Sequence, residues 1–513
     1  MRRIGIDVGG TNTDAVLLDG DHVERAVKTT TTADVTAGIV AALRRLLAGT
    51  DAAGRRVDAV MIGTTHFTNA VVQRRDLTPV AAVRIGLPAS ASLEPFIDWP
   101  ADLAAIVRGG VFMVEGGHEV DGRPIVPFHE VAMRQAAREI RASGVRSAAV
   151  TAIFSPIDAG DEERAGAILA EECPGVAVTL SHALGRLGLL ERENACLLNA
   201  CLVELARRTT RAFTEALAES GLDAPLYLTQ NDGTVTLASQ AEAFPVYSFA
   251  SGPTNSMRGA AFLSRLDDAV VVDVGGTTTD VGCLRHGFPR EANAVVEVGG
   301  VRTLFRMPDL LSLGLGGGTL VEPAPLTIGP RSVGYRLTEE ALVFGGTTLT
   351  CTDLAVAAGL IELGDPTRVA HVSRALVADG IRLIHERIAE AVDRTKTDAG
   401  DVPVIAVGGG SFLVPPRMPG VSQVVRVAHH PVANAVGAAI AQISGELDQV
   451  FQNMTREAAL AEARRLAEER AVRSGARRES LKVVEVEDIP LAYLPGNSLR
   501  TRVRVVGDIA APR

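Results

Sequence analysis

One motif occurs twice in this chain. Asp7-Val8-Gly9-Gly10-Thr11-Asn12-Thr13-Asp14 near the start and Asp273-Val274-Gly275-Gly276-Thr277-Thr278-Thr279-Asp280 in the second half differ only at Asn12 versus Thr278. Each copy follows an apolar β run and leads into another. Paired glycines let the backbone turn tightly and approach a ligand, because no β-carbon clashes there. The N–H groups of such a turn form a concave anion site, to which threonine hydroxyls add donors. The leading carboxylates, Asp7 and Asp273, end buried strands where they can hold a divalent cation through oxygen. One such hairpin is an ordinary β-turn signal. Two near-identical copies predict a duplicated fold with two phosphate loops facing one nucleotide.

Composition narrows the chemistry. At 513 residues the chain exceeds a single core, so two to four domains are expected. A net charge of −10 argues against a nucleic-acid or membrane-surface role. Lysine is confined to Lys28, Lys396 and Lys482, and no Gly-Lys-Ser/Thr loop occurs, which excludes the P-loop arrangement. Phosphate charge must then be met by backbone N–H groups, hydroxyls, arginine and metal. Cys173, Cys196, Cys201, Cys283 and Cys351 show no Cys-x-x-Cys spacing and read as packed, reduced thiols of a cytoplasmic protein. No stretch approaches the ~20 apolar residues of a membrane span.

Along the chain, the spacing of apolar residues predicts a helix from an Asp34 cap to about Leu47. A buried strand at 58–62 ends in Gly63-Thr64-Thr65-His66-Phe67-Thr68-Asn69, a hydroxyl-rich strand end of the kind that contacts ligands in α/β sheets. The turn-rich stretch 80–128 reads as an irregular insertion with short strands. A helix near 129–143, strands at 147–153 and 176–180, and a long helix at 191–220 follow. Asn194 and Asn199 are the polar exceptions of that long helix. Asn231-Asp232-Gly233 is a turn whose side chains can also line a pocket. Ser251-Gly252-Pro253-Thr254-Asn255-Ser256 opens a small-residue helix able to take an anion or a nucleotide edge. Asp309, the triplet Gly316-Gly317-Gly318 and the strand-borne triplet Gly408-Gly409-Gly410 complete the candidate site. Pro431 to Ala441 reads as a small-residue helix, 455–479 as a charged helix, and 481–487 and 499–507 as strands of a small terminal module.

Taken together, these motifs resemble the hydantoinase A / 5-oxoprolinase family. The match runs through Ile-Asp-Val-Gly-Gly-Thr-x-Thr-Asp, Gly-Thr-Thr-x-x-Thr-Asn-Ala at 63–70, Ser-Gly-Pro at 251–253, the second Asp-Val-Gly-Gly-Thr-Thr-Thr-Asp and Gly-x-Gly-Gly-Gly at 314–318. Gly334-Tyr335 and Thr350-Cys351-Thr352-Asp353 extend it. The resemblance implies an α/β, duplicated actin-like (ribonuclease H-like) ATPase fold, with two lobes around a nucleotide cleft. The expected organisation is a first lobe at 1–190, a second at 191–445, and a helical linker with a small α+β module at 446–513. It further implies that ATP and Mg²⁺ are bound, with Asp7 and Asp273 on the metal. Gly9, Gly10, Thr11, Asn12, Thr13, Gly275, Gly276, Thr277 and Thr278 would hold phosphates, and Gly316–Gly318 and Gly408–Gly410 would lie along the nucleotide. Thr64, Thr65, His66, Asn69, Asn231 and Asp309 would face substrate. Asp14 or Asp280 would orient a nucleophile or simply cap its own hairpin. Members of the family use ATP to activate a carbonyl oxygen, either opening cyclic amides or carboxylating ketones. A chain of this stand-alone A type implies a B-type partner subunit or an oligomer. A partner-remodelling ATPase is the reading from a different class.

Overall fold

The computed structural model describes residues 1–9, 12–30, 35–48, 57–184, 187–292, 296–304, 307–492 and 496–510. Gly10, Thr11 and the Asp34 cap lie outside them.

Two of the sheets repeat one local plan. In the first, strand Arg2–Val8 pairs antiparallel with Asn12–Asp19 and parallel with Ala59–Thr64. In the second, Ala269–Val274 pairs antiparallel with Thr279–Arg285 and parallel with Val402–Val407. The registers correspond residue for residue: Asp7 lies opposite Asp14, and Asp273 opposite Asp280. The sequence repeat is therefore a repeat of the unit that carries the carboxylates.

The first sheet has nine strands, in the order 482–490, 499–507, 442–451, 234–237, 226–229, 59–64, 2–8, 12–19, 22–30. Two of these strands, 482–490 and 499–507, come from the terminal segment expected as a separate module; through strand 442–451, which straddles the expected boundary, they are hydrogen-bonded onto the same sheet as the first hairpin. Helix Arg456–Arg473 covers them with Ala459, Ala463, Ala467 and Ala471, one buried alanine per turn. A β-carbon at Gly445 would lie 2.0 Å from the Ala467 carbonyl oxygen, so helix and strand touch at backbone distance. Alanine-rich composition thus marks close packing here.

Residues 80–128 differ from expectation. In place of an irregular insertion, strands 80–87 and 108–115 join the expected strands 147–152 and 177–180 in a four-stranded parallel sheet, in the order 108–115, 80–87, 147–152, 177–180. Strand Val80–Leu87 is buried along almost its whole length, so it lacks the alternation that betrays a half-exposed strand. Arg84 within it is fully buried and ion-paired with Glu193 of helix Leu189–Glu219. The polar exceptions of that helix are accounted for. Asn194 Oδ1 accepts from Trp99 Nε1 at 2.7 Å, and Asn199 Nδ2 donates to Thr179 Oγ1 and the Ala243 carbonyl.

Between the two repeated units, helix Ser251–Ser264 crosses helix Ala433–Ile440. β-carbons at Gly259 and Gly437 would sit 1.9 Å from the Ala433 oxygen and 1.8 Å from the Asn255 oxygen. A β-carbon at Gly5 would sit 2.1 Å from the Ala435 oxygen, which seats the second helix directly on the first central strand. All five cysteines are buried and unbonded. No described helix is long and apolar enough to cross a membrane.

Candidate active site

Asp7 and Asp273 stand near the end of the central strand of each repeated unit; Asp7 is buried and Asp273 half-buried, and in each the loss of water disfavours the charge. Burial, then the neighbouring Asp14 charge, pushes the Asp7 carboxyl up to about 6, against hydrogen bonds from Asn255 and Asn434. Burial likewise pushes Asp273 up to about 6; a hydrogen bond from Ser256 opposes this, while Asp280 and Asp7 add to it. The two leading carboxylates therefore feel one another across the junction of the lobes. The charge of Lys28 lowers both.

The crossing helices supply the amides that hold this cluster. Asn255 Nδ2 donates to Asp7 Oδ1 at 3.3 Å and to Thr229 Oγ1 at 3.1 Å. Asn434 Nδ2 donates to Asp7 Oδ2 at 3.0 Å and to Asp14 Oδ2 at 2.9 Å. Lys28 Nζ lies 2.6 Å from Asp14 Oδ1. Asp14 is thus tied to a lysine and an asparagine, while Asp280, also raised by burial, accepts from Ser312. Sequence reasoning did not single out Lys28, Asn255 or Asn434 for these roles. Lysine scarcity was the available signal for Lys28, because one of only three lysines lies beside the doubled motif. The asparagines gave none, since their partners are far away in sequence.

The hydroxyl-rich strand end lies beside Asp7. Gly63 is in register with Asp7, and a β-carbon there would meet Asn255 Nδ2 at 2.3 Å and Asp7 Oδ1 at 2.6 Å. Ser251 Oγ donates to the Thr64 carbonyl, and Asn69 Nδ2 to Thr65 Oγ1. His66 Nδ1 is hydrogen-bonded to Thr64 Oγ1, and burial lowers the imidazole below its ordinary range, so the ring is neutral at neutral pH. A neutral imidazole flanked by hydroxyls suits a polar, uncharged group.

The two hairpins close alike: Gly9 N donates to Asn12 O at 3.0 Å, and Gly275 N to Thr278 O at 2.9 Å. The glycine triplets divide in an informative way. Gly317 N donates to Gly275 O and Gly318 N to Gly276 O, so both groups are committed to the second hairpin. A β-carbon at Gly316 would fall 2.7 Å from Thr277 N. That triplet buttresses the loop. In the other triplet, Gly408 packs against Asp273, with a β-carbon position 2.3 Å from Oδ1, and Gly410 N donates to Val274 O. Only Gly409 there faces open space, as does Gly276 in the hairpin.

Two expected residues lie off the cluster. Asp309 is ion-paired with Arg290, because antiparallel pairing of Leu310 with Gly282 carries it past Asp280. Asn231 is buried in its turn; its N–H donates to the Tyr247 carbonyl and its carbonyl accepts from Thr254. Among the described residues, no three His, Cys, Asp or Glu side chains form a metal cage. The donor set suits Mg²⁺ nonetheless, since that ion is commonly held by one or two carboxylates with water and substrate phosphates. Two desolvated carboxylates raised to about 6 are the groups a cation would relieve.

A consequence follows for pH. Mg²⁺ takes only the ionised carboxylate, so its affinity together with nucleotide should fall as pH drops through about 6, where Asp7 and Asp273 gain protons. Titration of Mg²⁺ at fixed nucleotide across that range measures it.

A duplicated hairpin-and-strand unit, joined through two crossing helices with desolvated carboxylates at the junction, defines an actin-like ATPase fold. The crystal structure of the ATP-dependent caprolactamase from Pseudomonas jessenii superposes with a TM-score of 0.81, at 19% identity, over 99% of this chain and 88% of that one. Residues 3–173 match the hydantoinase/oxoprolinase N-terminal region and residues 192–367 the hydantoinase/oxoprolinase domain that follows. The chain belongs to the hydantoinase/oxoprolinase family. It is 27% identical over 408 residues to the acetophenone carboxylase gamma subunit of Aromatoleum aromaticum, covering 71% of this chain and 54% of that protein. It is 24% identical over 423 residues to the caprolactamase subunit alpha of Pseudomonas jessenii, covering 76% and 58%. The chain thus spans little more than half the length of these curated relatives.

Proposed function

We propose that this chain is the ATP-using subunit of an enzyme that opens a cyclic amide by phosphorylating its carbonyl oxygen. The observation that carries this reading is the pair of carboxylates Asp7, held by Asn255 and Asn434, and Asp273, held by Ser256, beside the Thr64-Thr65-His66 strand end. An unstrained amide resists water because resonance protects its carbonyl and its nitrogen leaves poorly. Transfer of the γ-phosphoryl group forms a new O–P bond at the carbonyl oxygen as the bond to ADP breaks. Water then adds to the carbon and the ring nitrogen departs as amine, leaving an acyl phosphate; a second water attacks the acyl carbon, and C–O cleavage releases phosphate and the carboxylate.

Such a transfer needs positioning and charge neutralisation more than covalent help. Mg²⁺, held by Asp7 and Asp273, would neutralise phosphate charge. Backbone N–H groups of the two hairpins would cradle phosphates, Gly276 and Gly409 would let the nucleotide approach, and Lys28 would place a positive charge at the transferring group. His66 and Thr65 would face the amide.

The likeness to an acetophenone carboxylase subunit favours a second reading, in which the activated carbonyl belongs to a ketone and the product is a carboxylate. Both relatives are subunits by name, so a partner chain belongs to either reading. Phosphate release with Mg²⁺ should be stimulated by one of a panel of lactams, hydantoins and 5-oxoproline, and not by ketone plus bicarbonate. Stimulation by ketone plus bicarbonate alone transfers the assignment to the second reading.

A further inference from the structure

A cavity of about 420 Å³ opens well away from the carboxylate cluster, between edge strand Ala177–Leu180, helix Leu189–Glu219 and residues 238–244. Its wall carries Val178, Leu180 and Phe244, and its charged residues are His182, Arg207 and Glu242. Neither Arg207 nor Glu242 has an ion-pair partner among the described residues, so opposite charges line one cavity without neutralising each other.

Behind His182 stands a buried polar network that the cleft chemistry does not use. Glu162 is wholly buried. Its Oε1 accepts from Ala152 N and Ser181 Oγ, and its Oε2 from His182 N at 2.9 Å, with His182 Nδ1 at 2.8 Å. Burial opposes its charge, but bonds from His182 and Ser181 win and hold the carboxyl below its ordinary value. Arg192, also buried, donates to Ser181 Oγ at 2.9 Å and to the Ala152 carbonyl at 2.6 Å. A carboxylate so supplied with donors fixes the imidazole: Nδ1 is spent on Glu162, and Nε2, without a partner among the described residues, is left as the free atom of the ring. Buried charges are costly unless compensated; Glu162 and Arg192 meet through the Ser181 hydroxyl, and together they orient one ring at the edge of a cavity.

We infer that this cavity binds an ω-amino acid, with its carboxylate on Arg207 and on Nε2–H of His182 as an imidazolium that donates to Glu162 and to the ligand at once, its ammonium at Glu242, and its methylene chain along Val178, Leu180 and Phe244. A simple carboxylate would leave Glu242 unanswered and a simple amine would leave Arg207 so. An ω-amino acid separates its charges by a chain that the apolar wall covers. Ring-opened lactams are compounds of this class, but the assignment stands on the cavity and is independent of the reading of the cleft.

Calorimetric titration of the nucleotide-free protein with aminocaproate, caproate and hexylamine tests it. Aminocaproate should bind saturably and more tightly than either analogue. His182→Gln and Arg207→Gln should each weaken it roughly tenfold to a hundredfold, the loss of one bond to a charged group. Glu242→Gln should erase the preference over caproate, and basal ATP turnover should be unchanged in all three variants. Absence of saturable heat, equal binding of caproate by the unmodified protein, or aminocaproate binding indifferent to all three substitutions would overturn the inference.

Discussion

Asp273→Asn should abolish Mg²⁺-dependent ATP turnover while making the metal-free protein more stable at neutral pH. Asparagine keeps the shape of the side chain and its acceptor for Ser256, and removes only the charge. That charge is disfavoured in the empty protein. Displacement of the carboxyl from 3.8 to about 6 corresponds to on the order of 3 kcal/mol. The sign follows from the direction. A carboxyl raised in the folded state contributes stability that is fully present below its unfolded value of 3.8 and is lost as pH rises through about 6. Above that point the natural protein bears the cost of a desolvated anion and the variant does not; below 3.8 the two should converge. Catalytically the same substitution removes a proposed cation ligand and should lower turnover at least about a hundredfold. Denaturant titrations on either side of the window, with phosphate-release assays, check both halves. Lost stability at neutral pH would mean that the carboxylate has a structural partner instead.

Gly437→Ala should damage fold and site together. A β-carbon there would stand 1.8 Å from the Asn255 carbonyl oxygen and 2.9 Å from Gly259 N. Both are backbone atoms of the opposing helix, which cannot yield as a flexible side chain can. The helices must part, at a cost of about 1–3 kcal/mol or more. Because Asn255 holds Asp7 and Thr229 with its side chain, its displacement misplaces the carboxylate, and shifts of that size reduce turnover about a hundredfold. Gly409→Ala is the contrasting variant. Nothing lies within 4 Å of its β-carbon position, so the fold should be untouched while nucleotide affinity falls. Chemical denaturation and nucleotide titration of the pair separate packing from ligand approach.

The sequence made one part of this arrangement plain and concealed another, for identifiable reasons. The duplication was readable because tight backbone turns need glycine and each copy carries a carboxylate at its strand end. The two motifs therefore repeat in sequence and reappear with identical register. The helices near 129–143, 191–220 and 456–473 and the strands at 147–152, 177–180, 402–407, 482–490 and 499–507 were equally readable from periodicity; helix Gly160–Glu172, strands Val421–Arg426 and Gln442–Phe451, and the assembly of the terminal strands were not. Nothing local in 482–490 states that it extends a sheet begun at Arg2. The continuous apolar run of Val80–Leu87 carries no period of two, since both its faces are covered, and it was lost among neighbouring prolines and glycines. In the site, Gly316–Gly318 announced close backbone contact correctly, but the object in contact is the second hairpin's own carbonyls. Glycine reports that something is near and does not say what. Asn434 lies 427 residues from Asp7, and its side-chain bridge is a product of the folded topology alone.

The central claim is that the two hairpins direct a phosphoryl group onto a carbonyl oxygen. It is tested most directly by following that oxygen. A lactam carrying a heavy-oxygen label in its carbonyl, caprolactam in the first instance, is incubated with ATP, Mg²⁺ and the chain. The released phosphate is then examined by mass spectrometry. The account predicts that the label passes from the carbonyl into the phosphate, one labelled oxygen for each ring opened. Ring opening that releases unlabelled phosphate would contradict it.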